Sequence, residues 1–245
     1  RRSIDSDVDN VASLLRLVRL IPEEIDIDPI LEEAKQQLHL EADYRHEAAA
    51  IGSFAALVGD DARYRVPAVI DALSSEEVLA MEFLDGQPIE TLSTASQALR
   101  NSVAAALFEL ALREVFEWGW VQTDPNFANY LYDAQAGQIQ LLDFGATRAY
   151  TQDRRLALLE LLQASIDGDD RDVATAAVGV GYLGEDDPGA YRQSVVELLR
   201  IATGPARTTA PYAFADSTLA QRMGDKVLEL RMEQCYGRLP PTEIL

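Results

Sequence analysis

The stretch that decides the fold is Gln122-Thr123-Asp124-Pro125-Asn126-Phe127-Ala128-Asn129, followed at short distance by Leu142-Asp143-Phe144-Gly145. Between them Tyr130-Leu131-Tyr132 and Ile139 to Leu142 flank Asp133-Ala134-Gln135-Ala136-Gly137, the residue chemistry of a tight turn, so the spacing predicts a β-hairpin. Upstream, Ser96 to Trp118 reads as a buried helix broken at Gly119. A helix therefore delivers a short loop carrying Asp124, with Asn129 five residues on. The hairpin then returns the chain so that Asp143 stands at a strand end, beside glycine, where a carboxylate can face a ligand.

Two carboxylates and an amide oxygen gathered this way suit a hard cation. Mg²⁺ takes oxygen ligands and fills the rest of its shell with water and substrate phosphates. Asn129 and Asp143 are the expected metal ligands, leaving Asp124 to orient a nucleophile or accept its proton. The D-x-x-x-x-N spacing with D-F-G is the layout of phosphoryl transfer in protein kinases. The plainer alternative is a turn at Asp124-Pro125-Asn126 and a strand-end cap at Asp143, which leaves the helix–loop–hairpin order unexplained.

Working outward, Pro29 to Val58 is expected to form one long helix, with Leu31, Ala34, Leu38 and Ala42, then Ala48, Ile51, Ala55 and Val58, on its buried stripe. It carries Glu41, Asp43 and Glu47; Glu41 and Arg45 are spaced as a surface pair, whereas Asp43 and Glu47 repel at i, i+4. A cation is expected to meet that face, or the face is simply solvated. Tyr64 to Ile70 and Val78 to Leu84 read as two strands around Ser74-Ser75-Glu76-Glu77, and Asp85-Gly86 as a hinge. Along Met81-Glu82-Phe83, backbone groups would meet an adenine ring while Met81 lines its apolar slot; an ordinary core strand is the competing reading.

Elsewhere, Asp5 to Leu20 reads as an amphipathic helix with Val8, Val11, Leu14, Leu15 and Val18 at helical spacing. Further helices are expected near Asp153 to Ile166, Asp169 to Val180, Tyr191 to Ala202 and Leu219 to Cys235, with a loop over Gly204 to Tyr212. The fold class is α+β: a partial N-lobe over residues 1–86 and a mostly helical C-lobe over 87–245.

Composition excludes whole classes of function. The 245 residues carry a formal charge of −20, which argues against nucleic acid as a partner and against electrostatic docking on anionic lipid. No apolar run approaches the ~20 residues of a membrane-spanning helix. With Cys235 alone, an intrachain disulfide is impossible, and His39 and His46 more readily pack or cap than catalyse.

The run Glu41-Ala42-Asp43-Tyr44-Arg45-His46-Glu47-Ala48, the segment Val78 to Gly86, the loop Gln122 to Asn129 and the segment Leu141 to Tyr150 together resemble the UbiB/AarF family of atypical kinases. The wording Gln122-Thr123-Asp124-Pro125-Asn126 with Asp143-Phe144-Gly145-Ala146-Thr147-Arg148 is similar to the coenzyme Q-biosynthesis branch. The resemblance implies a protein-kinase-like fold, binding of ATP or ADP with Mg²⁺, and an ATPase or kinase-like activity supporting ubiquinone synthesis alongside quinone-biosynthesis enzymes or lipid intermediates. It implies catalytic roles for Asp124 and Glu47, the latter paired with a lysine, and an E-x-D element at Glu41 and Asp43. It also implies a cytoplasmic or peripheral inner-membrane location in a bacterium, or the mitochondrial matrix face in a eukaryote.

Both ends of the sequence look cut. The family's K-x-G-Q extension, alanine-rich nucleotide loop and strand lysine are expected before Arg1, and further helix after Leu245. A scaffold for quinone-biosynthesis enzymes with little chemistry of its own is the alternative from another class. A small-molecule phosphotransferase of the aminoglycoside or choline kinase type shares the Asp–Asn spacing, but Asp143-Phe144-Gly145 and the E-x-D helix speak against it.

Overall fold

The computed structural model describes residues 4–17, 31–32, 35, 38–39, 43–124 and 126–232. The chain divides into two compact units, Arg1–Tyr150 and Thr151–Leu245. The lobe boundary expected at Gly86 falls within the first of them.

In the first unit, α1 (Ile4–Leu17) buries Ala12 and half-buries Val8 but leaves Val11 and Leu14, two members of the expected apolar stripe, more than half exposed. Asp5 and Asp9 on this helix meet His39 at 2.9 Å and Lys35 at 2.8 Å. The single helix expected from Pro29 to Val58 is interrupted. Residues 31–32, 35 and 38–39 are helical, but Asp43 has extended backbone and caps a new helix, α2 (Tyr44–Val58), by accepting from the Arg45 N–H at 3.1 Å. An aspartate at this position is worth more as a cap than as a helical residue, because it satisfies an orphan amide and faces the positive end of the dipole. The expected Asp43–Glu47 repulsion within one helix is corrected accordingly.

On α2, Ile51 and Val58 are buried as expected, whereas Ala50 and Phe54 take the places expected for Ala48 and Ala55. Phe54 is the largest apolar side chain there and takes the core, packing against Phe144 at 4.8 Å between centroids with the rings tilted by 50°, and edge-on to Trp118 at 6.2 Å. Two regular strands were expected around Ser74–Glu77. The pairing is short: Val69 bridges Met81 antiparallel, the Ile70 N–H donates to the Ala80 carbonyl and the Glu82 N–H to the Ala68 carbonyl, while β1 is confined to Tyr64–Arg65. Pro67 lacks the N–H a continuing ladder needs. Instead β1 runs parallel to β5 (Gln138–Leu141), which pairs antiparallel with β4 (Tyr130–Asp133), itself paired with β2 (Gln87–Pro88).

The long helix is α3 (Gln97–Leu112), capped by Ser96 and continuing as a π-helical turn over Arg113–Trp118. Gly119 ends it with φ 68°, a left-handed conformation that favours glycine. From there β3 (Trp120–Gln122) pairs antiparallel with β6 (Thr147–Ala149). The core joins α2, α3, the hairpin and Phe144, with the Tyr64 hydroxyl donating to the Ala106 carbonyl at 2.7 Å.

The second unit holds α4 (Gln152–Asp167), α5 (Asp170–Val180), α6 (Gly189–Ala202) and α7 (Leu219–Met232), close to expectation. A capping box between Asp169 and Asp172 starts α5, and Gly181, φ 93°, ends it. Its core gathers Leu161, Ala177, Val180, Leu183, Tyr191 and Val195.

Candidate active site

Two small β-ribbons assemble the site. Across β4–β5 the Leu142 N–H donates to the Asn129 carbonyl at 3.0 Å, which sets Asn129 beside the residue preceding Asp143. Across β3–β6 the Thr123 N–H and hydroxyl both donate to the Ala146 carbonyl, at 3.1 and 2.6 Å, which sets the residue preceding Asp124 beside the segment following Gly145. The two ribbons thus fasten the Asp124–Asn129 loop and the Asp143-Phe144-Gly145 segment to each other on both sides.

Local bonds then fix the side chains. The Asn129 amide donates to the Asp124 carbonyl at 3.4 Å, which leaves its own oxygen uncommitted. Asn126 caps the short turn Phe127–Asn129, accepting from the Ala128 N–H. The Asp143 carboxylate accepts from the Gly145 N–H at 2.9 Å through one oxygen. Asp124 and Asp143 are exposed and Asn129 half-buried, so these groups stand clear of hydrocarbon packing while the neighbouring Phe144 is 1% exposed.

Glu47 faces this group from α2. Burial first, and then the charge of Asp143, push its carboxyl above the ordinary range. The sequence contains two lysines: Lys35 is held by Asp9 and Glu32, and Lys226 belongs to the second unit. No cation partners Glu47 among the described residues. Of the E-x-D pair, Asp43 serves as the cap described above and Glu41 lies outside the described residues; Arg45, its expected partner, lies 3.7 Å from Glu76.

Among the described residues no hydrogen bond joins the hinge segment to Asp124, Asn129 or Asp143. Met81 is opposite Val69 and Phe83 is 87% exposed. The Glu82 carboxylate is committed to Arg65 at 2.7 Å and to the Ala68 N–H at 3.2 Å, and its own N–H donates to the Ala68 carbonyl. Gly86 explains itself by close approach: a Cβ there would lie 2.9 Å from Leu131 Cβ, and its N–H donates to Gln140 Oε1 at 3.0 Å.

Sequence reasoning assigned no chemistry to Gln122, Glu114 or Tyr130. Gln122 is buried; its side-chain amide donates to the Asp143 carbonyl, its oxygen accepts from the Tyr130 hydroxyl at 2.8 Å, and its backbone N–H donates to Glu114 Oε2 at 2.9 Å. Glu114 is 5% exposed, and burial pushes its carboxyl up to about 7 against the opposing pull of that N–H. Burial and the charges of Glu114 and Asp124 push the Tyr130 hydroxyl up to about 12. The signal was present in the helix: Val103, Ala106 and Leu110 set a buried stripe, and Glu114 falls on its next turn.

Comparison with known proteins places the chain in a family. A family model described as the ABC1 atypical kinase-like domain matches residues 1–177. Rat "Atypical kinase COQ8B, mitochondrial" is 36% identical over 241 residues, covering 98% of this chain and 45% of that protein. "Atypical kinase COQ8, mitochondrial" of Saccharomyces cerevisiae is 31% identical over 246 residues, covering 99% and 48%. The chain thus spans about half the length of these curated relatives. A solved structure, the Rv3197–erythromycin complex from Mycobacterium tuberculosis, superposes with a TM-score of 0.64 at 19% identity, covering 92% of this chain and 62% of that one. That likeness concerns the fold, and it agrees with the α+β, protein-kinase-like architecture expected from the sequence. The chain belongs to the ABC1 (UbiB/AarF) family of atypical kinases, in keeping with its coenzyme Q branch.

Proposed function

We propose that this chain carries the catalytic core of a Mg²⁺-dependent, ATP-binding atypical kinase or ATPase that supports ubiquinone biosynthesis, working with quinone-biosynthesis enzymes or lipid intermediates. The observation that carries the reading is the double fastening of the Asp124–Asn129 loop to the Asp143-Phe144-Gly145 segment, with the Glu47 carboxylate facing Asp143. The donor set fits the metal. Asp143 keeps one carboxylate oxygen free of hydrogen bonds from the protein and Asn129 its amide oxygen, and Mg²⁺ is commonly held by one or two such ligands with substrate phosphates completing the shell. Two like charges drawn together at Glu47 and Asp143 also favour a cation between or beside them.

In this reading Asn129 and Asp143 hold the ion, which when bound neutralises charge on the phosphates. Asp124, exposed and oriented by the loop, takes the proton from the attacking hydroxyl or water as the phosphoryl group leaves its diphosphate. Met81, Glu82 and Phe83 meet the adenine. Among the described residues the backbones of Phe83 and Leu84 make no hydrogen bond, as an adenine-reading edge requires. Glu47 would pair with a lysine, as the family resemblance implies.

One observation favours the second reading, a nucleotide- or lipid-responsive scaffold: Glu47 has no cationic partner among the described residues. Thermal melts of the full-length protein with Mg²⁺ and ADP separate the possibilities. The expected result is a rise in Tm that Asp143→Asn abolishes; a rise untouched by this substitution removes Asp143 as a ligand. Protection by nucleotide without any ATP turnover would transfer the argument to the scaffold.

A further inference from the structure

The helical second unit holds a cavity of about 550 Å³ whose charge runs against that of the chain. Three of its lining residues are arginines: Arg200 on α6, Arg207 at the end of the short turn Gly204–Arg207, and Arg222 on α7. The wall also carries Asp170 and Glu197, but both carboxylates are already answered. Asp170 accepts from Arg200 at 3.3 Å, and Glu197 pairs with the buried Lys226 at 2.6 Å.

Arg200 is fixed in place. It donates to the carbonyls of Ser165 and Gly168 at 3.1 and 2.6 Å, closing the C-terminal end of α4. Arg207 and Arg222 are different: both are exposed, and neither guanidinium has a hydrogen-bond or ion-pair partner among the described residues. In a sequence with 41 acidic and 21 basic residues, an average patch is acidic. Here two guanidinium groups face one cavity beside a third, with every wall carboxylate spent. Like charges brought to one cavity repel unless an anion answers them, and the planar fork of arginine matches a tetrahedral oxyanion with paired N–H donors.

We infer that this cavity is a binding site for a phosphate group, with Arg207 and Arg222 gripping its oxygens and Arg200 holding the floor. The site is separate from the Asp124–Asp143 constellation, and the inference stands whether or not that constellation binds nucleotide. A soluble ester and a phosphomonoester lipid headgroup share this chemistry; the formal charge of −20 disfavours a lipid surface, so the soluble form is expected.

The test titrates inorganic phosphate into the full chain at fixed ionic strength, so that screening stays constant, and reads binding by calorimetry and by Tm. Saturable binding at millimolar phosphate is expected, weakened about tenfold by Arg207→Gln or by Arg222→Gln, and abolished in the double variant. Both side chains are exposed, so the variants are expected to keep the wild-type far-UV circular dichroism and phosphate-free Tm. Arg171→Gln, on α5 but not among the residues lining the cavity, should bind as wild type. A second arm replaces phosphate with phosphatidylcholine vesicles containing phosphatidate. Sedimentation with them that the double variant loses assigns the phosphate to lipid, and binding of inorganic phosphate alone assigns it to a soluble ester. No binding in either arm overturns the inference, as does binding that survives in the folded double variant or is lost equally in Arg171→Gln.

Discussion

Glu114→Gln is the sharpest probe of the site's foundations. Glu114 lies 5% exposed beside Gln122, which leads into the Asp124–Asn129 loop, with a carboxyl raised from 4.5 to about 7 by burial. A native state that prefers the protonated form binds more protons than the unfolded chain between those values. Stability from this group is therefore fully present below about pH 4.5 and is lost as pH rises through about 7. At 1.36 kcal/mol per unit, the loss between about pH 5 and about pH 8 amounts to roughly 2.5 kcal/mol. Glutamine keeps an oxygen to accept the Gln122 N–H and cannot ionise, so the variant should lack this slope and exceed the wild type in stability at the alkaline end. Urea unfolding read by tryptophan fluorescence is well matched to the question. Both tryptophans, Trp118 and Trp120, lie within six residues of Glu114, so the signal reports this unit. Other groups titrate equally in both proteins, and the difference between the two curves isolates Glu114. Parallel curves across the range would refute the assignment of Glu114 as a buried, high-pKa carboxyl.

Two further outcomes test the surroundings. Phe54→Ala removes a ring that packs on both Phe144 and Trp118, and should cost about 3–5 kcal/mol in the same urea assay while loosening the segment that presents Asp143; a loss below about 1 kcal/mol would mean that the aromatic cluster does not hold this core. Asp143→Asn should lower the Glu47 titration midpoint followed by carboxyl-carbon NMR, because it removes one of the two causes that raise it, and a midpoint that stays put would mean the two carboxylates do not sense each other.

What the sequence made legible was local. The hairpin is declared by its turn, where Gly137 takes φ 70°; the long helix ends at Gly119; and the four C-terminal helices follow their own periodicity. The features it concealed depend on partners distant in the chain. β1 was read as half of a hairpin with Val78 to Leu84, yet it pairs with β5, more than 70 residues away, and no local pattern encodes that choice. The Asp43 break was hidden because an acidic run suits a helical face as well as a cap, and only the backbone geometry decides between them. Phe54 turned α2 away from its alanine stripe because one aromatic ring buries more area than two methyl groups. Gln122 stood in plain view within the motif. Its bonds to Asp143, Tyr130 and Glu114 required the β3–β6 and β4–β5 registers to be known first.

These misses share a consequence for the chemistry. The carboxylates easiest to read, Asp124 and Asp143, are the exposed ones, while Glu47 and Glu114, with raised pKa values, sit behind them. Four acidic groups thus converge on one region, two facing outward and two inward. A bare nucleotide triphosphate would be repelled by such a surface, whereas a nucleotide carrying Mg²⁺ presents a cation to the outward pair. On the proposed function, such an arrangement would favour the metal complex over the free nucleotide by electrostatics, before any contact with the adenine ring. It also makes the Gln122 relay consequential. By holding the Asp143 carbonyl from below, a neutral amide fixes the segment without adding a positive charge that would compete for the outward carboxylates.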